Sequence, residues 1–557
     1  MHKSCGQCKQ SFEIANEDLK FYDKVSPIYN DKKYLLPPPT LCPDCRQRRR
    51  LVWRGERKLY SRKCDLCGKN IISIFATNRG YTVYCPPCYW SDKWNPADFG
   101  RSYDPSRTFF EQYDDLLKSV PLQSSYLIEA VNSEFNNNAS YLKNCYLMSS
   151  SNSNEDCYYG YFVNDSRDCM DCTSVNKSEK CYESIECVSC YDCRYCKNCV
   201  NCTESYFLTN CISCNNCFGS INLRHKKYCF FNEQLTKNEY EKKISTFLSG
   251  DRTKVEEMLQ KVREHNLKYP FPYMIGENNE NVSGNSIYRS KNSNTCFDCD
   301  DIEDCKYCYQ LMNAKDCYDI MSWGRTGELF YECVATGANG YNNSFTAINV
   351  AGINNLYSYM CMHSKNLFGC VSVKKSQYMI LNKKYSPAEF ETLAATIIEN
   401  MIRTKEWGEF FPEALSPFTY NESLADDFFP LTKDQAEAIG AKWYDETNKA
   451  SEQNSKKIIP VAIQTVTEDI LKTILTCQSC QKNYKIIPQE LDFYKKNTVP
   501  LPINCVDCRH KARLALRNPR HLFNRACAKC AAQIQTTYAP DRPETVYCEQ
   551  CYLKEVY

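Results

Sequence analysis

The sequence predicts a multidomain, mainly β protein in which terminal zinc-ribbon or treble-clef modules flank two Cys-rich β-solenoids of about 12 residues per coil, closed by capping helices. Three observations predict it. Cys-x-x-Cys pairs are duplicated at the two ends of the chain with almost the same spacing. Central cysteines recur in steps of three, six and twelve residues. Each central run ends on a helix-capping signature.

The ends come first, because an internal repeat decides how everything else is read. The N-terminal pairs are Cys5/Cys8, Cys42/Cys45, Cys64/Cys67 and Cys85/Cys88; the C-terminal pairs are Cys477/Cys480, Cys505/Cys508, Cys527/Cys530 and Cys548/Cys551. The last three pairs of each set superimpose at one offset of 463 residues, and flanking residues follow, Leu51, Tyr84 and Tyr89 matching Leu514, Tyr547 and Tyr552. Two such turns supply four thiolates, a closed tetrahedral shell that suits Zn²⁺ and leaves no position for water or substrate. The expectation is about four structural zinc ions per chain. Sequence order suggests pair one with two and three with four, with interleaved pairing also open. Structural zinc contributes roughly 10–16 kcal/mol, comparable to the roughly 5–15 kcal/mol stability of a whole domain, so the metal is expected to decide whether these thin-cored ends fold.

Between the second and third pairs of each set the chain is basic. Arg46, Arg50, Arg54 and Arg62, with their duplicates Arg509, Arg513, Arg517 and Arg525, are the candidate nucleic-acid-binding residues, because Trp53, Tyr60 and Phe523 interleave with them as they would for phosphate contact and base stacking. The alternative is a basic segment in solvent or facing an acidic part of the same chain. The acidic stretch Asp298, Asp300, Asp301, Glu303 and Asp304 fits a basic partner, the chain's own arginine segments among them.

In the centre, Cys145, Cys157, Cys169, Cys181 and Cys193 lie twelve apart, and Cys187, Cys199, Cys211, Cys217 and Cys229 keep that register in sixes. Cys172, Cys190, Cys196, Cys202 and Cys214 are displaced by three. No α-helix has that period, whereas a narrow β-coil stacks equivalent side chains at each turn and favours small apolar ones inside. The Asn or Asp before many of these cysteines, such as Asn144, Asp156 and Asp168, is a corner residue. A second run repeats the step at Asp304-Cys305 and Asp316-Cys317, and its end repeats the end of the first at an offset of 150. Thr236 with Glu239, and Ser386 with Glu389, then form capping boxes for helices of about 244–268 and 387–404, which would lid the last coils. Thr108 with Glu111 opens a further helix to Val120. The expected domains are 1–100 and 467–557 (zinc modules), 101–124 (helical connector), 125–235 and 280–385 (solenoids), 236–279 (cap and connector) and 386–466 (cap and helical linker, most linker-like from Asp445 to Lys457).

The run Cys42-Pro43-Asp44-Cys45-Arg46-Gln47-Arg48-Arg49-Arg50, the stretch Trp90-Ser91-Asp92-Lys93-Trp94, the Cys ladder and the ending Tyr538-Ala539-Pro540-Asp541-Arg542-Pro543-Glu544-Thr545-Val546-Tyr547-Cys548 resemble a family of large zinc-ribbon, Cys-repeat proteins from uncultured, very small bacteria. The resemblance covers nearly the whole chain and implies treble-clef type zinc domains at the ends. It carries no established activity. Some members bear a CoA-transferase label, for which this chain offers no supporting residues. In members of the family the counterparts of Cys67, Cys85 and Cys88 are often other residues, which implies an optional second N-terminal site.

Composition narrows the function. In 557 residues, 69 Lys and Arg stand against 67 Asp and Glu, so no global field steers the chain toward nucleic acid or a membrane. With 39 Cys and 6 His, the soft ligands are thiolates, and His-based catalysis is disfavoured. No apolar stretch is long enough to span a bilayer and the start is polar rather than a secretory signal, so the expected compartment is the cytoplasm, with reduced thiols. No catalytic residues or motif emerge. The expectation is a non-enzymatic zinc-binding scaffold contacting RNA or DNA through the arginines. The alternatives are a protein–protein scaffold using the solenoid faces, and thiol-based metal storage or redox sensing by the ladder.

Overall fold

The computed structural model of the protein describes residues 1–184, 200–245, 247–321, 328–336, 340–445 and 458–557. Cys187, Cys190, Cys193, Cys196 and Cys199, and nearly all of the 445–457 linker candidate, lie outside the described residues.

The centre is a β-solenoid of about 19 turns with about 12 residues per coil. It forms two runs. In the first, Leu127–Val131, Asn137–Lys143, Ser149–Glu155, Tyr161–Asn164 and Thr173–Asn176 make a parallel sheet in chain order, and the ladder continues through bridges such as Tyr206↔Phe218↔Phe230. The second starts at Gly276–Glu277 and ends at Lys365–Phe368 and Gln377–Ile380. Two of its steps are one residue longer, Cys317 pairing with Phe330 and Tyr331 with Ser344. That accounts for an offset of 150 at the run's end and 148 nearer its start.

The backbone explains the cysteine frame. Left-handed φ recurs at every third residue, as at Asn144, Leu147, Ser150, Ser153, Asp156 and Tyr159. Each twelve-residue coil therefore has four corners. The corners expected before the ladder cysteines are there, and so are others occupied by Leu, Tyr and Phe, which local turn chemistry alone does not favour. The residue after each corner points inward: Cys145, Met148, Ser151, Asn154 and Cys157 are all buried. The core is thus as narrow as the spacing implied. Its thiols donate to carbonyls two residues back, Cys157 Sγ to Glu155 O at 3.3 Å and Cys305 Sγ to Glu303 O at 3.2 Å. Inward hydroxyls are satisfied by the neighbouring coil, Ser133 Oγ accepting from Cys145 N at 2.9 Å. The described cysteines are free, without disulfides.

The caps differ in one respect from expectation. The helix after Ser386 spans Pro387–Arg403, as read. After Thr236 there are two shorter helices, Lys237–Ser245 and Arg252–Asn266, the second capped by Asp251 after Gly250 at positive φ. The Phe109–Ser119 helix carries its Thr108/Glu111 capping box. It packs on the end of the second run, Phe109 lying 5.4 Å from Phe368 between ring centroids, while the Arg252–Asn266 helix packs on the end of the first, His265 lying 5.1 Å from Phe231. No helix of the described residues is long and apolar enough to cross a membrane.

The narrow interior yields a test. Cys157→Leu adds volume where four backbone sides converge and should cost about 1–3 kcal/mol, whereas Cys157→Ala leaves a void of about one methyl and should cost about 1 kcal/mol. Thermal midpoints should therefore fall in the order wild type, Ala, Leu; a Leu variant as stable as wild type would show a roomier coil than this one.

Candidate metal centres

Four groups of cysteines stand ready to hold an ion: Cys5, Cys8, Cys42 and Cys45; Cys64, Cys67, Cys85 and Cys88; Cys477, Cys480, Cys505 and Cys508; and Cys527, Cys530, Cys548 and Cys551. The grouping follows sequence order rather than the interleaved alternative. Within each group the sulfurs all lie within 4.8 Å of one another. Pairs across the two turns are at 3.6 Å (Cys8–Cys42), 3.9 Å (Cys67–Cys85), 3.6 Å (Cys480–Cys505) and 3.7 Å (Cys530–Cys548). A tetrahedron with metal–sulfur bonds of about 2.3 Å has edges of about 3.8 Å, so the sulfurs fit one ion per group.

All four groups are built alike. One pair sits on a tight turn, and the other starts a helix, with Cys42, Cys85, Cys505 and Cys548 at the N-caps. The helix N-terminus favours negative charge. Although burial opposes ionisation, backbone N–H groups from Cys42, Cys8 and Gln7 bring the Cys5 thiol down to about 6, and Cys64, Cys477 and Cys527 are lowered to about 6 by the same arrangement. Thiolate is the ligand form, so the local backbone prepares one sulfur of each group, while burial and the neighbouring thiols push others such as Cys42, Cys88, Cys508 and Cys551 up. Among the described residues the central ladder forms no such group. His363 is exposed while Cys361 and Cys370 are buried, so it does not join them.

The arginines expected to meet phosphate have partners within the chain, most of them carboxylates. Arg46, Arg50, Arg54, Arg62, Arg509 and Arg513 are buried. The helix Pro43–Val52, started by Cys42 and Cys45, carries Arg46 to Asp319 of the second run at 2.8 Å, with Arg50 at 3.4 Å from the same carboxylate. The helix Val506–Ala515 carries Arg509 and Arg513 to Asp171 of the first run at 3.0 and 2.9 Å. Glu490 also accepts from Arg509, and Glu332 pairs with Arg49, at 3.0 and 2.9 Å. Arg54 pairs with Glu56, and Arg517 and Arg520 share Asp298, the acidic stretch that the sequence had set against the arginines. Arg62 donates to the carbonyls of Phe75 and Tyr81, and Arg525 to those of Ala539 and Glu544. A charge buried this deeply is stable only when paired, which is why these residues face inward.

The two dockings are copies of one another. Asp171 and Asp319 occupy equivalent positions of the two runs, as do Tyr159 and Tyr307, whose rings lie 5.1 Å from Arg509 and 5.2 Å from Arg46. Strand Val83–Tyr84 pairs with Leu122–Gln123 just ahead of the first run, and Val546–Tyr547 pairs with Phe271–Pro272 just ahead of the second. Where the two ends of the chain meet, Asp507 pairs with Lys58 and Asp44 with His521, reciprocal positions of the 463-residue duplication. Through these arginines the N-terminal segment reaches the second run and the C-terminal segment the first, while their strands pair ahead of the first and second runs respectively, so each end segment bridges both runs.

A cavity of about 610 Å³ opens where the two ends of the chain meet, lined by Arg57, Lys58, Asp426, Asp427, His510 and Lys511 among others. Its polar groups are used internally: Lys511 pairs with Asp426 at 2.6 Å, and the His510 imidazole, brought down to about 4 by burial, hydrogen-bonds Asp427 at 3.1 Å. Sequence reasoning missed Asp171 and Asp319. Their signal was a shared Cys-x-Asp, Cys169-Met170-Asp171 and Cys317-Tyr318-Asp319, visible once the runs are aligned through the two longer coils. No family model, curated protein or solved structure matches the chain.

Replacing one partner of a buried pair strands the other charge and costs about 3–5 kcal/mol. Asp319→Ala and Asp171→Ala should each destabilise the intact chain by about that amount, while Asp316→Ala, whose carboxylate is a quarter exposed and meets Lys24 at the surface, should cost under about 1 kcal/mol. Denaturant unfolding compares the three; equal effects would contradict the buried pairing.

Proposed function

We propose that the protein is a non-enzymatic scaffold in which four structural zinc ions order the two ends of the chain, and the ordered ends lock two runs of coils into one platform for protein partners. The observation that carries this reading is that the helices begun by metal-site cysteines are the ones whose arginines enter the coils at Asp319 and Asp171. Four thiolates close each shell, which suits zinc in a structural role and leaves no open position for a substrate. The ladder thiols, spent as donors to backbone carbonyls, support packing rather than metal storage or redox sensing. The arginines' internal partners favour the protein scaffold over the nucleic-acid reading.

Metal analysis of the natively purified chain should return about four zinc ions, released by strong chelators with loss of folded structure at both ends. A content near zero would sink the zinc reading, and one far above four would return the ladder to consideration. On a heparin column the chain should show no salt-sensitive retention that depends on Arg46, Arg50, Arg509 and Arg513. Retention lost in their Glu variants, with zinc content intact, would restore the nucleic-acid reading.

A further inference from the structure

The first coil of each run has no coil before it, and the two open edges differ in chemistry. In the first run Ile128, Val131, Phe135 and Tyr141 are 59, 58, 43 and 56% exposed. The strand Leu127–Val131 is the edge of its parallel sheet. Along the run, residues at positive φ donate to the preceding coil, as Asn144 N does to Val131 O and Asp156 N to Lys143 O. Glu129 and Asn132 hold that conformation in the first coil, so their N–H groups point to where the preceding coil would lie. In the second run Gly276 sits beside Ile287 as Leu127 sits beside Ala139, and Ile287 and Ala139 are equivalent. Ile128 and Val131 therefore correspond to Glu277 and Glu280, both exposed. The fold tolerates charge at this edge, so the apolar residues of the first run are not there to support it.

We propose that the Leu127–Val131 edge is a docking edge for a segment of another protein that follows its corners at Glu129 and Asn132 and carries apolar residues interspersed with Lys or Arg. An exposed edge recruits strands through its unpaired backbone groups, and side-chain pockets then set the specificity. Charge selects the occupant: residues 126–137 carry Glu129 and Glu134 and no Lys or Arg. A second copy pairing about the centre of this strand would set Glu129 against Glu129, and like charges opposite one another are unfavourable. The second run's open edge is acidic as well. This deepens the scaffold reading and rests on it for a purpose, though its geometry stands apart.

The test uses the intact, zinc-loaded chain and a ten-residue probe peptide of alternating Lys and Val, with a Glu and Val peptide as control, read by isothermal titration. The Lys probe should bind saturably and the Glu peptide should not. The double variant Ile128→Ser, Val131→Ser, which removes the apolar contacts and leaves Glu129 and Glu134 in place, should weaken the Lys probe by roughly tenfold or more with zinc content unchanged. Independently of any variant, the probe should slow hydrogen exchange in residues 127–136 of the wild type. Absence of binding, equal affinity in the double variant, no slowing of exchange, or self-association of the wild type that the double variant abolishes would each overturn the docking edge. A chain with four zinc ions that fails to bind the probe loses this proposal and keeps the zinc-locked platform; a chain without zinc that binds it does the reverse.

Discussion

Two arginines closing on one buried aspartate, twice over, is the interaction on which the arrangement of this chain depends. Arg46 and Arg50 on Asp319, and Arg509 and Arg513 on Asp171, are long-range contacts that join the ends of the chain to its middle. Such a cluster is costly to desolvate and repays that cost only with good geometry. Here the geometry is set outside the cluster. A Cys-x-x-Cys pair fixes the start of each short helix, and one or two turns later the arginines reach the carboxylate. Helices of this length are marginal alone; a cysteine group that could hold a metal lies at the N-cap and an ion cluster further along the helix.

The crossed connectivity has a physical consequence. Because Arg46 and Arg50 reach the second run and Arg509 and Arg513 the first, each run packs against an end segment remote in sequence as well as against its own neighbours. The chain is a pair of similar halves whose end segments each bridge both runs, with reciprocal contacts between Asp44 and His521 and between Asp507 and Lys58 of the kind expected at a two-fold interface. Opening one metal site should loosen a distant set of coils as well as the adjacent one.

Much of this was legible in the residues. The duplicated pairs named all sixteen cysteines and suggested their grouping in sequence order while leaving an interleaved one open, because a four-thiolate shell imposes a characteristic spacing. The three-residue frame of the ladder named the solenoid, because only the inward position of a four-cornered coil recurs that way. The residues leave the arginines' partners open between phosphate and the chain's own acids, for an equally physical reason. A basic, aromatic-interleaved segment has the same composition whether it faces phosphate or a buried carboxylate, and the carboxylates lie hundreds of residues away in positions defined only by coil register. The break between the Lys237–Ser245 and Arg252–Asn266 helices depends on a positive φ at Gly250, and a capping box reports where a helix starts rather than how far it runs. The apolar first coil gave no periodic signal of its own and stands out only beside its polar counterpart.

The account's central claim is that metal at the chain's ends governs order in its middle. Hydrogen exchange followed before and after chelation tests it most directly. The account predicts that the helices Pro43–Val52 and Val506–Ala515 and the coils around Asp319 and Asp171 lose protection together when the metal is stripped, and regain it when zinc is restored. Coils that keep full protection while both helices exchange freely would contradict it.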